Sequence, residues 1–311
     1  DQVAREAGLT PQEARVRLDS ARKKLFQVRG RRVWPGRDDK ILTAWNGLMI
    51  KGLAAAGRHL ARPDYLQAAE EALDFIHREL WRDGRLLAVY KDGRARFPAY
   101  LDDYALLMDG AMELLQARWR DGDLDFVLEL ADVLLEHFQD SRKGGFYFTA
   151  DDHEELIARI KPVYDEALPA GNGIAALTLL RLGHLLGSMK YLVAGEKTLQ
   201  WAWPTIEQMP MAATALLLAL EEYFYPGQTI VLRGETQAMA PWQERCTRPY
   251  APRRLTLAIP VDRTELPGDL AKREPMDGVT AYVCSGTQCS PPITRLADLE
   301  TELQPLEVIG P

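Results

Sequence analysis

The sequence predicts a mainly α-helical fold, a ring of αα-hairpins followed by a small α/β subdomain. A unit of helix, helix and short hairpin recurs roughly every 60–70 residues, the signature of an array whose members cover one another's apolar faces. Pro226-Gly227 closes that pattern, and short β-rich runs follow it. Acidic and amide residues gather where successive helices begin, at Asp38-Asp39, at Leu101-Asp102-Asp103-Tyr104-Ala105 and at Pro169-Ala170-Gly171-Asn172. Such loops on a rigid helical scaffold place a polar cavity at one end of the ring.

The elements follow in order. Thr10-Pro11-Gln12-Glu13 is a helix start, with Thr as N-cap, Pro at the first turn and Glu three residues on. Residues 38–60 read as the next helix, with Leu42, Trp45, Met49 and Leu53 on one stripe, and Pro63 opens a third. Asp83-Gly84 and Asp92-Gly93 are turn dipeptides around a short strand at 86–90. Helix resumes at Leu101 and again at Asp123, through Phe138; Gly144-Gly145 turns into an aromatic strand at 146–148. Further helices span 173–186, 191–203 and 210–224. The runs 229–232, 255–259 and 279–283 are strands, the first two separated by a helix near 237–245 that suits a parallel crossover, and a last helix covers 294–303. The expected division is 1–226 for the toroid portion and 227–311 for the α/β subdomain.

Composition narrows the function. The net charge is −7, from 38 basic and 45 acidic residues, which argues against a general nucleic-acid surface. The apolar run 211–220 is about half of the ~20 residues a membrane span requires, and residues 1–21 carry no apolar signal-peptide core. The three cysteines, Cys246, Cys284 and Cys289, form neither a C-x-x-C nor a secreted disulfide framework. They are expected as unpaired, weakly reactive thiols in a reducing cytoplasm. No metal or cofactor is expected: the five histidines are scattered, and no phosphate-binding glycine motif is present.

The candidate site residues are those at the helix mouths. Asp102 and Asp103 stand in a first helical turn, where the partial positive charge of the helix end should hold both ionised, as bases, nucleophiles or acceptors for a sugar hydroxyl. Helix stabilisation alone would also account for them. Asp39 is expected to share a helical stripe with Thr43, Asn46 and Ile50; Trp45 fits the core better than a sugar-stacking role. Arg159 and Lys161 suit a clamp on a carboxylate or phosphate, with Asp165, Asn172 and the following helix N-terminus beside them. A salt-bridge network between loops fits the same residues.

The run Asp38-Asp39-Lys40-Ile41-Leu42-Thr43-Ala44-Trp45-Asn46-Gly47-Leu48-Met49-Ile50 resembles a signature of the YyaL-like thioredoxin-domain-containing family, which includes the mammalian spermatogenesis-associated thioredoxin-like proteins. Leu101-Asp102-Asp103-Tyr104-Ala105, Gly144-Gly145-Phe146, Arg159-x-Lys161 with Asp165, Pro169-x-Gly171-Asn172 and the Tyr282-Val283-Cys284…Cys289…Pro292 tail match it in order. Ala170, Glu166 and Gly173 depart from the pattern, which leaves hydrogen bonding at that helix mouth in doubt. The resemblance implies an (α/α)6 toroid of the six-hairpin glycosidase type, apparently incomplete at its N-terminal end. Relatives of that fold include N-acylglucosamine epimerase and unsaturated glucuronyl hydrolases. It also implies a separate thioredoxin-like domain in full-length relatives.

The expected function is a carbohydrate-active toroid acting on a sugar or acidic sugar. Asp102, Asp103, Asp165 and Asp39 are the catalytic candidates; Trp45, Asn46, Tyr104, Arg159, Lys161 and Asn172 are the ligand-binding ones. The alternatives are a non-catalytic toroid that binds a sugar or protein ligand for the thioredoxin-like domain, and a scaffold whose function lies wholly in that redox domain.

Overall fold

A computed structural model describes residues 1–249 and 251–303; residues 304–311 of the expected C-terminal subdomain lie outside the described residues. The chain divides into two compact units, 1–39 and 40–311.

The first unit holds α1 (Gln2–Glu6) and α2 (Pro11–Gly30). The expected cap is present. Glu13 N–H donates to Thr10 Oγ1, and Glu13 Oε2 accepts from the Thr10 backbone N–H and hydroxyl. No residue of α2 is buried. A stretch without regular secondary structure, 33–40, follows.

The second unit opens with β1 (Ile41–Leu42), then α3 (Thr43–His59) and α4 (Pro63–Glu79). The expected start of this helix at Asp38 is corrected to Thr43. Ile41 and Leu42 pair instead with Tyr90 and Val89, so a strand takes the residues that local sequence assigns to a helix. β2 (Trp81–Arg82), β3 (Arg85–Lys91) and β4 (Arg94–Pro98) complete a small antiparallel sheet; both expected Asp-Gly turns are present, each Asp and Gly at positive φ. α5 (Leu101–Ala117) and α6 (Asp121–Val133) follow, α6 running on into a π-helical turn at Leu134–Phe138. α7 (Gly171–Leu186), α8 (Met189–Gln208) and α9 (Thr214–Phe224) complete the helical part. Left-handed Gly187 ends α7.

These helices form two layers. α3, α5, α7 and α9 pack each on the next as an inner row, and α4, α6 and α8 pair with their predecessors outside. The fold is mainly α, a segment of an α/α toroid. α5 and α7 are covered on nearly every side, so apolar residues occur all round them rather than on one stripe, and the polar Asp103, Asp109 and Gln116 of α5 are buried as well. α4 shows the one-sided pattern of an outer helix, burying Ala69, Leu73 and Ile76. The α3–α5 crossing is close because Gly47 faces Gly110: a Cβ on Gly47 would lie 2.6 Å from the Leu106 carbonyl carbon.

The aromatic strand expected at 146–148 is corrected to a single bridge, Phe146 to Gln139. β5 (Gln228–Gly234), α10 (Thr236–Thr247) and β6 (Leu255–Pro260) form the expected parallel crossover. β7 (Thr280–Ser285) lies antiparallel on the other side of β5, and β8 (Gln288–Cys289) on β7, giving the order β6-β5-β7-β8; α11 (Leu296–Glu302) follows. One face of this sheet, with Val231, Leu257 and Tyr282, joins the toroid core. Ile230, Leu232 and Val283 on the other face pack with Trp242 of α10 and Leu299 of α11. Among the described residues no helix is long and apolar enough to cross a membrane.

Candidate functional site

The N-termini of the four inner helices are joined by three aspartates. A helix leaves its first backbone N–H groups without intrahelical acceptors. Asp103 Oδ2 accepts from Tyr100 N–H of its own helix, and its Oδ1 from Ala44 N–H of α3, both at 2.9 Å. Asp102 Oδ1 accepts from Gly171 N–H at the start of α7, at 3.1 Å. Asp165 Oδ1 accepts from Ala170 N–H at 2.8 Å, and its Oδ2 from Ala215 N–H at 2.9 Å and the Thr214 hydroxyl at 2.6 Å, both on α9. The sequence-predicted carboxylates of α5 and the 165 loop therefore converge on one rim. Gly171 is required there: a Cβ would meet Asp102 Oδ1 and lie 2.8 Å from Leu101 Cγ.

Burial sets the charge state of this rim. Asp103 is pushed up to about 7 by its removal from water, against the two N–H groups that favour its ionised form; the nearby Asp102 charge adds to the rise. Asp102 is also raised, first by burial and further by the charge of Glu166, while Gly171 N–H opposes. The expectation that the helix ends hold both ionised is corrected: desolvation outweighs the dipole. Asp165 is only half-buried; desolvation still raises it, but the Ala170 N–H, the Thr214 hydroxyl and the Ala215 N–H together prevail and hold it below the usual carboxylate range. Asp102 Oδ2 accepts no hydrogen bond from any described residue. Glu166, exposed beside it, is not among the sequence-predicted site residues, although it stands out there as a departure from the family pattern next to Asp165.

The other candidates are placed as follows. Tyr104 is 1 % exposed, and its hydroxyl accepts from Leu86 N–H, fastening β3 to α5. Trp45 is 61 % exposed, so the core reading is corrected; it follows Ala44 in the first turn of α3, at the rim. Asn46 donates to Leu42 O. Asp39 lies in the irregular stretch before β1, outside α3, so the expected helical stripe with Asn46 does not form. Asn172 is fully buried; it accepts from Phe146 N–H and donates to Phe146 O and Pro162 O.

Arg159 and Lys161 are directed at protein acceptors. Lys161 Nζ lies 2.8 Å from both Asp140 Oδ2 and Gly144 O, and 4.7 Å from the Trp201 ring. The Lys161 ammonium, helped by Lys143 N–H, holds Asp140 far below the usual carboxylate range. Arg159 donates to Thr149 O and His137 O and stacks on Tyr147 at 4.2 Å. The interloop network is thus present.

Three further features take no part in the hydrogen bonds that join the inner helix ends. His137, Asp151 and Asp152 bring potential metal-ligand atoms within 4.8 Å, though His137 Nδ1 already meets Asp151 Oδ1 at 2.8 Å and Asp152 pairs with Arg85. A cavity of about 330 Å³, lined by Trp119, Asp121, Leu124, Arg263 and Leu266 among others, opens at the α5–α6 corner, the opposite end of α5. Seventeen residues at ~1.5 Å each put that corner about 25 Å from the rim. Cys284 and Cys289 are joined in a disulfide, which corrects the expectation of unpaired thiols; Cys246 is free and buried.

No protein-family model matches the chain. A family 76 glycoside hydrolase from a bovine Bacteroides thetaiotaomicron strain superposes with a TM-score of 0.48 at 14% identity, over 62% of this chain and 45% of that one. Rat spermatogenesis-associated protein 20 is 29% identical over 94% of the chain and 39% of its own length. Human spermatogenesis-associated protein 20 is 30% identical over 97% of the chain. The chain spans about two-fifths of the length of the curated relatives it matches, 41% of the human protein, and over that part it is similar to them almost from end to end.

Proposed function

We propose that this chain is the helical portion of a carbohydrate-active member of the group that contains spermatogenesis-associated protein 20, and that a sugar or acidic sugar meets it at the inner-helix rim. The observation that carries the reading is Asp102: a partly buried carboxyl with one oxygen fixed by Gly171 N–H, the other without a protein donor, and Glu166 beside it. Burial and a neighbouring negative charge make such a carboxyl easier to protonate than a free one, which suits the acid of a glycosidic cleavage. Asp102 then donates a proton to the leaving glycosidic oxygen, while Glu166, or a water that Glu166 deprotonates, attacks the anomeric carbon. Asp103 and Asp165 hold the helix ends that position Asp102. Exposed Trp45 supplies an aromatic face for the apolar side of a sugar ring.

The test uses the full chain against a broad glycoside panel read by release of reducing sugar. Asp102→Asn and Glu166→Gln should each lower turnover ~10²–10⁴-fold with unchanged circular dichroism, and Trp45→Ala should act chiefly on KM. Absence of both binding and turnover across the panel would refute the proposal. A second reading is non-catalytic: the rim binds a sugar or protein ligand for a separate thioredoxin-like domain of the kind the sequence resemblance implies. The full engagement of Asp103, Asp165 and Asn172 with backbone groups favours it. Its mark is saturable binding, weakened by Trp45→Ala, with no product.

A further inference from the structure

The α/β subdomain carries chemistry that the rim does not use. Cys284, on β7, is buried, and Cys289, its cross-strand partner on β8, is exposed. Arg273 points its guanidinium at their sulfurs: Nη2 lies 2.9 Å from Cys289 Sγ and 3.6 Å from Cys284 Sγ. No carboxylate pairs with Arg273 among the described residues; its other side-chain neighbour is the Tyr282 ring at 5.6 Å, and its carbonyl is held by Arg233. A disulfide needs no cation, whereas a thiolate is stabilised by one. The bond closes a short hairpin whose outer strand is two residues long, so one sulfur faces solvent.

We propose that Cys284–Cys289 is a redox-exchange site for dithiols, with Cys289 as the sulfur attacked and Arg273 as the positioning residue that stabilises the departing thiolates. A thiolate of the incoming dithiol attacks Cys289 Sγ; the Cys284–Cys289 bond breaks, and its electron pair leaves on Cys284 Sγ. The second thiolate of the dithiol then attacks its own mixed-disulfide sulfur, and Cys289 leaves as a thiolate against Arg273. The dithiol loses two electrons and becomes a disulfide, the cysteine pair gains them, and two protons from the dithiol end on the two cysteines. Exposure of Cys289, together with contact between one guanidinium and both sulfurs, supports this order of attack.

The full chain would be equilibrated in graded mixtures of reduced and oxidised dithiothreitol without denaturant, acid-quenched, alkylated and mapped by mass spectrometry. Buried Cys246, its thiol pushed up to about 12 by burial, is an internal control that should stay unlabelled. The expected result is reversible gain and loss of two labels, with any trapped mixed disulfide carrying dithiothreitol on Cys289 and the label on Cys284, and with native circular dichroism throughout. Reduced Cys289 should alkylate with a pH midpoint below the ordinary ~8.5 of a free cysteine. Arg273→Met should slow exchange at least tenfold and return that midpoint to the ordinary value, and Arg273→Lys should restore part of both. A bond that reduces only on unfolding would overturn the proposal. So would a Met variant that matches the parent in rate and midpoint.

Discussion

Asp103 serves two helices with one carboxylate, and that position makes it a proton-binding site of the fold. Its folded value of about 7 stands above the ~3.9 of an unfolded chain. A carboxyl raised in this way binds its proton more tightly when folded. Its contribution to stability is therefore fully present below about pH 4 and is lost as pH rises towards 7. Asp103→Asn removes that titration. The stability difference, parent minus variant, should fall by up to about 4 kcal/mol between pH 4 and 7.5 and then level off, given a displacement of ~3 pH units. Urea midpoints at several pH values measure it, and a pH-independent difference would contradict the assignment. Asp165 shows why the residue type alone does not set the outcome. It has a similar helix-mouth position, yet three hydrogen bonds outweigh its burial.

Between elements, close approach is the governing constraint. Gly171 lets the first turn of α7 reach Asp102, and Gly47 with Gly110 lets α3 cross α5 nearly in backbone contact. Gly171→Ala should cost ~1–3 kcal/mol by overpacking against Leu101 and Asp102, measured by urea denaturation; because Asp102 is displaced, any activity at the rim should fall as well. A stability unchanged within error would show that the helix mouth has room to give. Phe146 illustrates how a side chain substitutes for an element. Gly144-Gly145 followed by three aromatics reads as a strand, but the Asn172 amide takes both the N–H and the C=O of Phe146, as a neighbouring strand would. One asparagine thereby fixes the 140–162 loop on α7.

Across the molecule, protection should follow enclosure. α5 and α7 are buried along nearly their whole length, while α2 buries nothing. A solvated helix of 20 residues is marginal by itself. Native-state hydrogen exchange should therefore find the amides of α7 at least ~10³-fold more protected than those at the centre of α2. Equal protection would mean that α2 is covered in solution by a surface that shields it from water.

Local and periodic information lay open in the sequence. The Thr10–Glu13 cap, both Asp-Gly turns, the helical hairpins, the parallel crossover and the gathering of Asp102, Asp103 and Asp165 at helix mouths depend on neighbours a few residues apart or on a repeating apolar pattern. Only the tertiary structure decided what those acids do there. Whether a carboxylate at a helix end is ionised depends on how much water is removed and how many N–H groups arrive from other helices. Glu166, the pairing of Ile41 and Leu42 with β3, and the contact of Arg273 with two sulfurs likewise join residues distant in the chain. Single-chain patterning encodes which face of a segment is apolar; it does not encode which distant atom that face will bring within 3 Å of a carboxyl or a thiol.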